Sequence, residues 1–284
     1  MAEQLKSVLK TYFQTGDVPT EGQFVDLVDS LTLQSQTDTA EVAIALNTAK
    51  IGFSQETILV TQSNFATTLG GTIDSTKLYQ IEGIIDTGTT SIEIPATGLS
   101  LKGNSFDLSG LVSTEANYTM FTSPIGGSGN LLGTDYYVSV AGAASQIYDI
   151  TDATGFNAFE FSRVNYNNCT SLGDIYNYRQ GLELGTGRFG GSPSLTLHGT
   201  WVGGYRITTS IVRSMSDTTT EPLFKAGTAF VMNSRFLTDI NCDLGTLQPF
   251  ADFAPSNFAN PSTLQFKGAI ISRDGVFNSS DANI

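Results

Sequence analysis

Charge is scarce in this sequence, and so are the side chains that most often carry chemistry. Only 14% of the 284 residues are charged, against roughly 25% in ordinary soluble domains. Ser, Thr, Asn and Gly must therefore cover most of the surface, as in a β-protein of many short strands rather than a helical enzyme. The single histidine, His198, rules out the usual multi-histidine zinc sites. Two cysteines, Cys169 and Cys242, give neither a disulfide framework nor a metal motif, and are expected as small buried hydrophobes. No apolar run approaches the roughly 20 residues of a membrane span. Met1-Ala2-Glu3-Gln4-Leu5-Lys6 lacks the basic-then-apolar order of a signal peptide, so synthesis in a reducing cytoplasm is expected. Basic residues are outnumbered 14 to 27, a formal net charge of −13, which repels a phosphate backbone and argues against nucleic acid as a partner.

What is present begins with helical spacing. Leu5, Val8, Leu9 and Tyr12 fall at i, i+3, i+4, i+7. Gly16-Asp17 interrupts them, and Thr20 with Gln23 has the spacing of a capping box. Phe24, Leu27, Val28 and Leu31 then repeat the pattern. Residues 1–35 are thus expected to hold a short helical hairpin, too small to stand alone. Residues 36–75 read as a polar connector that is either extended or helical around Thr39–Lys50. Glycine becomes dense from Gly70 onward, and residues 76–284 are expected as the main domain.

That domain reads as β. Tyr79–Ile85, Ser91–Ile94 and Leu99–Gly103 are short alternating runs separated by Asp86-Thr87-Gly88 and Pro95-Ala96-Thr97-Gly98. Later runs include Phe159–Phe161, Val164–Cys169, Leu182–Leu184, Leu195–Leu197, Phe230–Asn233 and Ile240–Leu244. Leu264–Ile271 forms an alternating strand near the C-terminus, where the chain end either pairs with a neighbour or continues further. Asn, Cys and Ser at the strand–turn junctions favour a parallel β-solenoid, in which like residues stack from coil to coil. A β-sandwich is the alternative.

No catalytic constellation stands out, and no cofactor or metal motif. His198 alternates with Leu197 and is expected as a solvated strand residue; Gly-x-Ser-x-Gly is absent. Gly185-Thr186-Gly187-Arg188-Phe189-Gly190 lies in no βαβ unit and reads as a turn. A glycoside hydrolase needs two carboxylates across a sugar, for which Asp149, Asp152, Glu160, Asp174 and Glu183 are candidates. Aromatics and arginines concentrate in the middle of the chain. Tyr176, Tyr178, Arg179, Trp201 and Tyr205 are the candidate glycan-binding residues, since rings stack on sugar faces and guanidinium pairs with acidic groups. The same rings would equally fill a core or an intersubunit interface.

The segment Leu9-Lys10-Thr11-Tyr12-Phe13-Gln14-Thr15-Gly16-Asp17-Val18-Pro19-Thr20-Glu21-Gly22-Gln23-Phe24, continuing through Leu27 and Asp29-Ser30, resembles the N-terminal segment of bacteriophage virion appendage proteins, especially those of phages of marine and Bacteroidetes hosts. It covers about a tenth of the chain; the remainder is similar only in style. The resemblance implies a structural fibre or spike subunit located in the virion. Leu5, Leu9, Tyr12, Phe24, Leu27, Val28 and Leu31 are the candidate attachment residues toward other virion proteins. A homotrimer is expected from this class, with a host-surface glycan as a further partner. A glycan-degrading tailspike and a capsid-decoration or tail-connector protein are the alternatives.

Overall fold

In the computed structural model, residues 20–23, 55–152, 154–184, 189–213, 220–244, 249–259, 262–266 and 270–273 are described. The chain divides into two units, residues 1–55 and 56–284. In the first, Thr20 precedes a helical turn at 21–23. The Gln23 N–H donates to Thr20 Oγ1 (3.3 Å) and the Thr20 N–H donates to Gln23 Oε1 (2.9 Å), so the expected capping box forms. The rest of the expected hairpin, with Leu5, Leu9, Tyr12, Phe24, Leu27, Val28 and Leu31, lies outside the described residues.

The second unit is a parallel β-solenoid. It opens with β1 (Glu56–Val60), and its first full coil holds β2 (Lys77–Ile81), β3 (Ile84–Asp86) and β4 (Ile92–Glu93). The second coil holds β5 (Leu99–Gly103), β6 (Gly110–Ser113) and β7 (Thr119–Thr122). The third holds β8 (Leu131–Thr134), β9 (Tyr137–Val140) and β10 (Gln146–Thr151), and the fourth β11 (Ala158–Ser162), β12 (Asn165–Cys169) and β13 (Gly173–Tyr176). The fifth has β14 (Gln180–Leu184), β15 (Phe189–Gly191) and β16 (Leu195–His198). Then follow β17 (Thr200–Trp201), β18 (Gly204–Arg213), β19 (Phe224–Ala226), β20 (Val231–Met232) and β21 (Arg235–Leu244). The chain closes with β22 (Ala251–Asp252), β23 (Thr263–Phe266) and β24 (Ile270–Arg273).

Each of the first five coils gives one strand to each of three faces. The first face runs β1-β2-β5-β8-β11-β14-β18, the second β3-β6-β9-β12-β15-β18, and the third β4-β7-β10-β13-β16-β19-β22. The ten-residue strands β18 and β21 serve the first two faces at once: β18 pairs with β14 near its start and with β15 near its end. A register shift between Thr208 and Ser210 replaces the corner there. All pairings between these strands are parallel, which excludes the sandwich alternative.

Three expectations shift. The run Tyr79–Ile85 is two strands, because Gly83 adopts φ +74° and turns the chain from the first face to the second. Likewise Leu264–Ile271 is divided between β23 and β24, which pair with the two halves of β21. The solenoid also begins at Glu56 rather than at residue 76. Residues 61–76 form the lid of its first coil, with Phe65, Leu69 and Ile73 buried. Terminal coils need such a cover for their core, and glycine density does not report it.

Alternation along each strand sends every second side chain into the lumen. On the first face one interior row reads Leu99, Leu131, Phe159, Gly181, Tyr205, Phe236 from coil to coil. The next reads Tyr79, Leu101, Gly133, Phe161, Glu183, Ile207. The glycines make room for rings: a Cβ on Gly181 would lie 2.1 Å from the Tyr205 ring, and one on Gly133 2.5 Å from Phe161. Cys169 is buried as expected, and burial pushes its thiol up to about 12, which makes it unreactive.

Candidate functional site

The third face brings together side chains far apart in sequence. Asp149, Asp174 and Thr196 are register partners on β10, β13 and β16, and Thr151, Tyr176 and His198 form the next outward row. Neighbouring strands lie about 4.8 Å apart, so the Asp149 and Asp174 carboxylates share one patch. Burial and the negative charge of Asp174 push the Asp149 carboxyl above its usual range, while His198 acts in the opposite direction.

His198 is not the solvated residue that alternation alone suggested. It is 8% exposed. The Tyr176 ring stacks on it with centroids 4.0 Å apart, and a Cβ on Gly227 would come within 2.3 Å of the imidazole. Its Nδ1 accepts the Thr228 N–H at 2.8 Å, so Nε2 carries the proton and donates to Asp174 Oδ1 at 2.7 Å. Both ring nitrogens are therefore occupied, and the histidine orients Asp174 rather than offering a base. What remains for chemistry is an open pair of carboxylates beside a tyrosine, able to exchange hydrogen bonds with hydroxyl groups. Among the described residues no group of three or more His, Cys, Asp or Glu is placed to hold a metal ion.

The other carboxylate candidates have structural partners. Asp152, 1% exposed, closes the turn from the third face to the first. It accepts the N–H groups of Thr154 (2.8 Å) and Asn157 (2.8 Å), the Thr154 hydroxyl (2.7 Å) and the Asn157 amide (2.9 Å). Burial alone would raise its carboxyl, yet these hydrogen bonds hold it below the usual range. Glu160 accepts the Gln180 amide. Glu183 points into the lumen and accepts the Tyr205 hydroxyl. Burial, and then the Glu183 carboxylate, push the Tyr136, Tyr166 and Tyr205 hydroxyls up.

Three of the five candidate glycan-binding residues belong to the core. Trp201 is fully buried, and its indole N–H donates to the His198 carbonyl at 3.0 Å. Tyr178 is likewise buried, pairing with the Ser128 hydroxyl (2.7 Å) and donating to the Gly129 carbonyl (3.1 Å). Tyr205 is buried against Phe236, ring centroids 5.6 Å apart. Their rings cannot stack on a sugar from outside. Tyr176 keeps partial exposure beside the carboxylate pair, and Arg179 is exposed at the corner between the third and first faces. The Asp149–Asp174 contact escaped sequence reasoning because coil lengths vary, so no constant offset links facing residues. No family model, no curated protein and no solved structure matches the chain.

Proposed function

We propose that this chain is a structural virion protein, a subunit of a bacteriophage fibre or spike, whose solenoid projects from the particle and presents its outer faces to host-surface glycans. The observation that supports it most is the interior. Continuous rows of stacked side chains run through the coils from Leu99 to Phe236, giving a packed rod with its hydrogen bonds between successive coils. Such a rod holds outward side chains at fixed spacing, which suits display rather than turnover. The N-terminal residues, with Leu5, Leu9, Tyr12, Phe24, Leu27, Val28 and Leu31, would attach it to other virion proteins, and three copies would assemble.

A second reading, a glycan-degrading spike, is favoured by one observation: the Asp149–Asp174 pair on an open face. One experiment separates the two. Full-length protein and a version lacking residues 1–31 are compared for sedimentation mass, incorporation into particles and release of sugars from host polysaccharide. The display reading expects a trimer, loss of incorporation on truncation with the solenoid still folded, and intact polysaccharide. Incorporation of the truncated chain overturns the attachment role, and sugar release abolished by Asp149→Asn replaces display with hydrolysis.

A further inference from the structure

We infer that a dent on the first face, framed by Arg206 and Arg235, is a binding site for the oxyanion of an acidic saccharide; this rests on the glycan-display reading and gives it a place and a ligand class. The dent arises from register. Gln180 and Gly204 are register partners, Arg235 lies beside Gly204 at the start of the next strand, and Leu182, Arg206 and Leu237 form the neighbouring outward row. With glycine at 203 and 204, the strands enclose a hollow of about 150 Å³ whose lining includes Gln180, Leu182, Arg206 and Arg235. Substitution of Gly204 is disfavoured: its φ is +89°, and a Cβ would approach the Arg235 carbonyl to 2.4 Å. The hollow is therefore built into the backbone.

The charge pattern gives the ligand's sign. In a chain of net charge −13, an exposed arginine has carboxylates to choose from, and Arg163 takes Asp135 in a two-pronged pair at 2.6 and 2.7 Å. Arg206 and Arg235 are both exposed, and among the described residues neither enters an ion pair or side-chain hydrogen bond. The carboxylate one coil along the same face, Glu160, is held by the Gln180 amide. Two arginines on adjacent strands, with no carboxylate partner among the described residues, line a space of a size that suits a carboxylate or sulfate group. Arginine binds both two-pronged.

Size narrows the class further. Drug-sized ligands occupy sites of about 300–1,000 Å³, so the hollow takes one charged group and part of its ring. The rest of the ligand then lies along the face, where Leu182 and Leu237 flank Arg206. That suits a polymer whose units each carry an anion, a polysaccharide of uronic acids or of sulfated sugars. The two share the oxyanion and differ in its geometry.

The test uses the full chain and calorimetric titration with three probes of equal length: an oligoglucuronate, a sulfated galactan fragment and an uncharged glucan. The expected result is binding of one or both anionic probes, weakening with salt, and none of the glucan. Arg206→Gln and Arg235→Gln should each weaken binding about tenfold or more, with sedimentation mass and particle incorporation unchanged. Preference for glucuronate or for the sulfated probe identifies which anion the site is built for. Equal binding of charged and uncharged probes, or unaltered affinity in both variants, overturns the proposal. So does a change of sedimentation mass in the variants, which would mean that the arginines contact a second copy. Because incorporation is measured on the same variants, failure of the site leaves the fibre or spike reading standing, and failure of that reading shows separately.

Discussion

On the first two faces the lumen of the first two coils is lined mainly by aliphatic side chains, Ile81, Ile85, Leu99, Leu101 and Leu111, with Tyr79 as the aromatic exception. From the fourth coil onward the corresponding positions hold Phe159, Phe161, Tyr166, Phe189, Tyr205 and Phe236. Both regions obey the same rule, that an inward residue stacks on the inward residue of the next coil, but they satisfy it differently. Ile85, Leu111 and Val138 follow one another on the second face as residues of similar size. The later rings pack against one another, as Phe159 does with Tyr148 at 5.0 Å and Phe161 at 4.7 Å, and they also need the glycines of neighbouring coils. Gly133 faces Phe161, and Gly181 faces Tyr205. An aliphatic position is thus nearly interchangeable with its neighbour in the next coil, whereas an aromatic one is matched to the residue beside it.

The sharpest test of that difference is truncation of one ring. Phe159→Ala should cost about 3–5 kcal/mol, whereas Ile85→Val in the aliphatic region should cost about 0.5–1.5 kcal/mol. Chemical denaturation gives the totals, and hydrogen exchange shows whether loss of the ring loosens the fourth coil first. Equal costs would erase the distinction between the two regions.

A smaller effect is expected at the join between the third and fourth coils, where Asp152 organises the connecting turn. Its removal in Asp152→Ala should cost about 1–3 kcal/mol, since buried donors lose their acceptor. The native carboxyl titrates below its ordinary value of about 3.9, so its contribution is complete above that value and fades as pH falls through the lower native one. The variant should show a correspondingly flatter acid limb in a plot of stability against pH. An unchanged acid limb would mean that the turn is held by something other than this carboxylate.

The smallest effect belongs to the Asp135–Arg163 pair, which ties the same two coils at the surface. Arg163 is 59% exposed, so solvent screens the pair, and Arg163→Ala should move the denaturation midpoint less than Phe159→Ala or Asp152→Ala. Most of that difference should vanish in high salt. A large, salt-independent loss would make this corner more important to the join than the lumen.

Much of this architecture was legible because short strands and turns have local causes. Alternation in Leu99–Gly103 and Phe159–Phe161, and the turn residues between them, pointed to stacked β-structure. The coil lengths concealed the rest. Register partners on the first face are 22 residues apart at Leu78 and Ser100, 32 at Leu99 and Leu131, 28 at Leu131 and Phe159, and 22 at Ala158 and Gln180. With no fixed period, nothing local states that Asp149 will face Asp174, or that Arg235 will stand beside Gly204. The polar rows also differ from the expected stacks of like residues. Asn104 bridges Gln80 and Glu82, donating to Glu82 at 2.9 Å and accepting from Gln80 at 2.7 Å. Asn177 sits at φ +59° with its side chain over Gly199.

The sequence by itself determined that this chain would be low in charge and strand-rich, and favoured a solenoid over a sandwich, because side-chain alternation and turn residues act over a few positions. It also carried the capping box at Thr20 and Gln23. Tertiary structure alone decided which residues are inside. Trp201, Tyr178 and Tyr205 could have covered either the lumen or the outer face, since a strand's two sides differ only in what is stacked against them. The same stacking turned His198 from a solvated residue into a covered one and left Arg206 and Arg235 around the hollow at Gly204. Outward position and neighbours in such a fold are set by the length of each coil, a quantity no single strand contains.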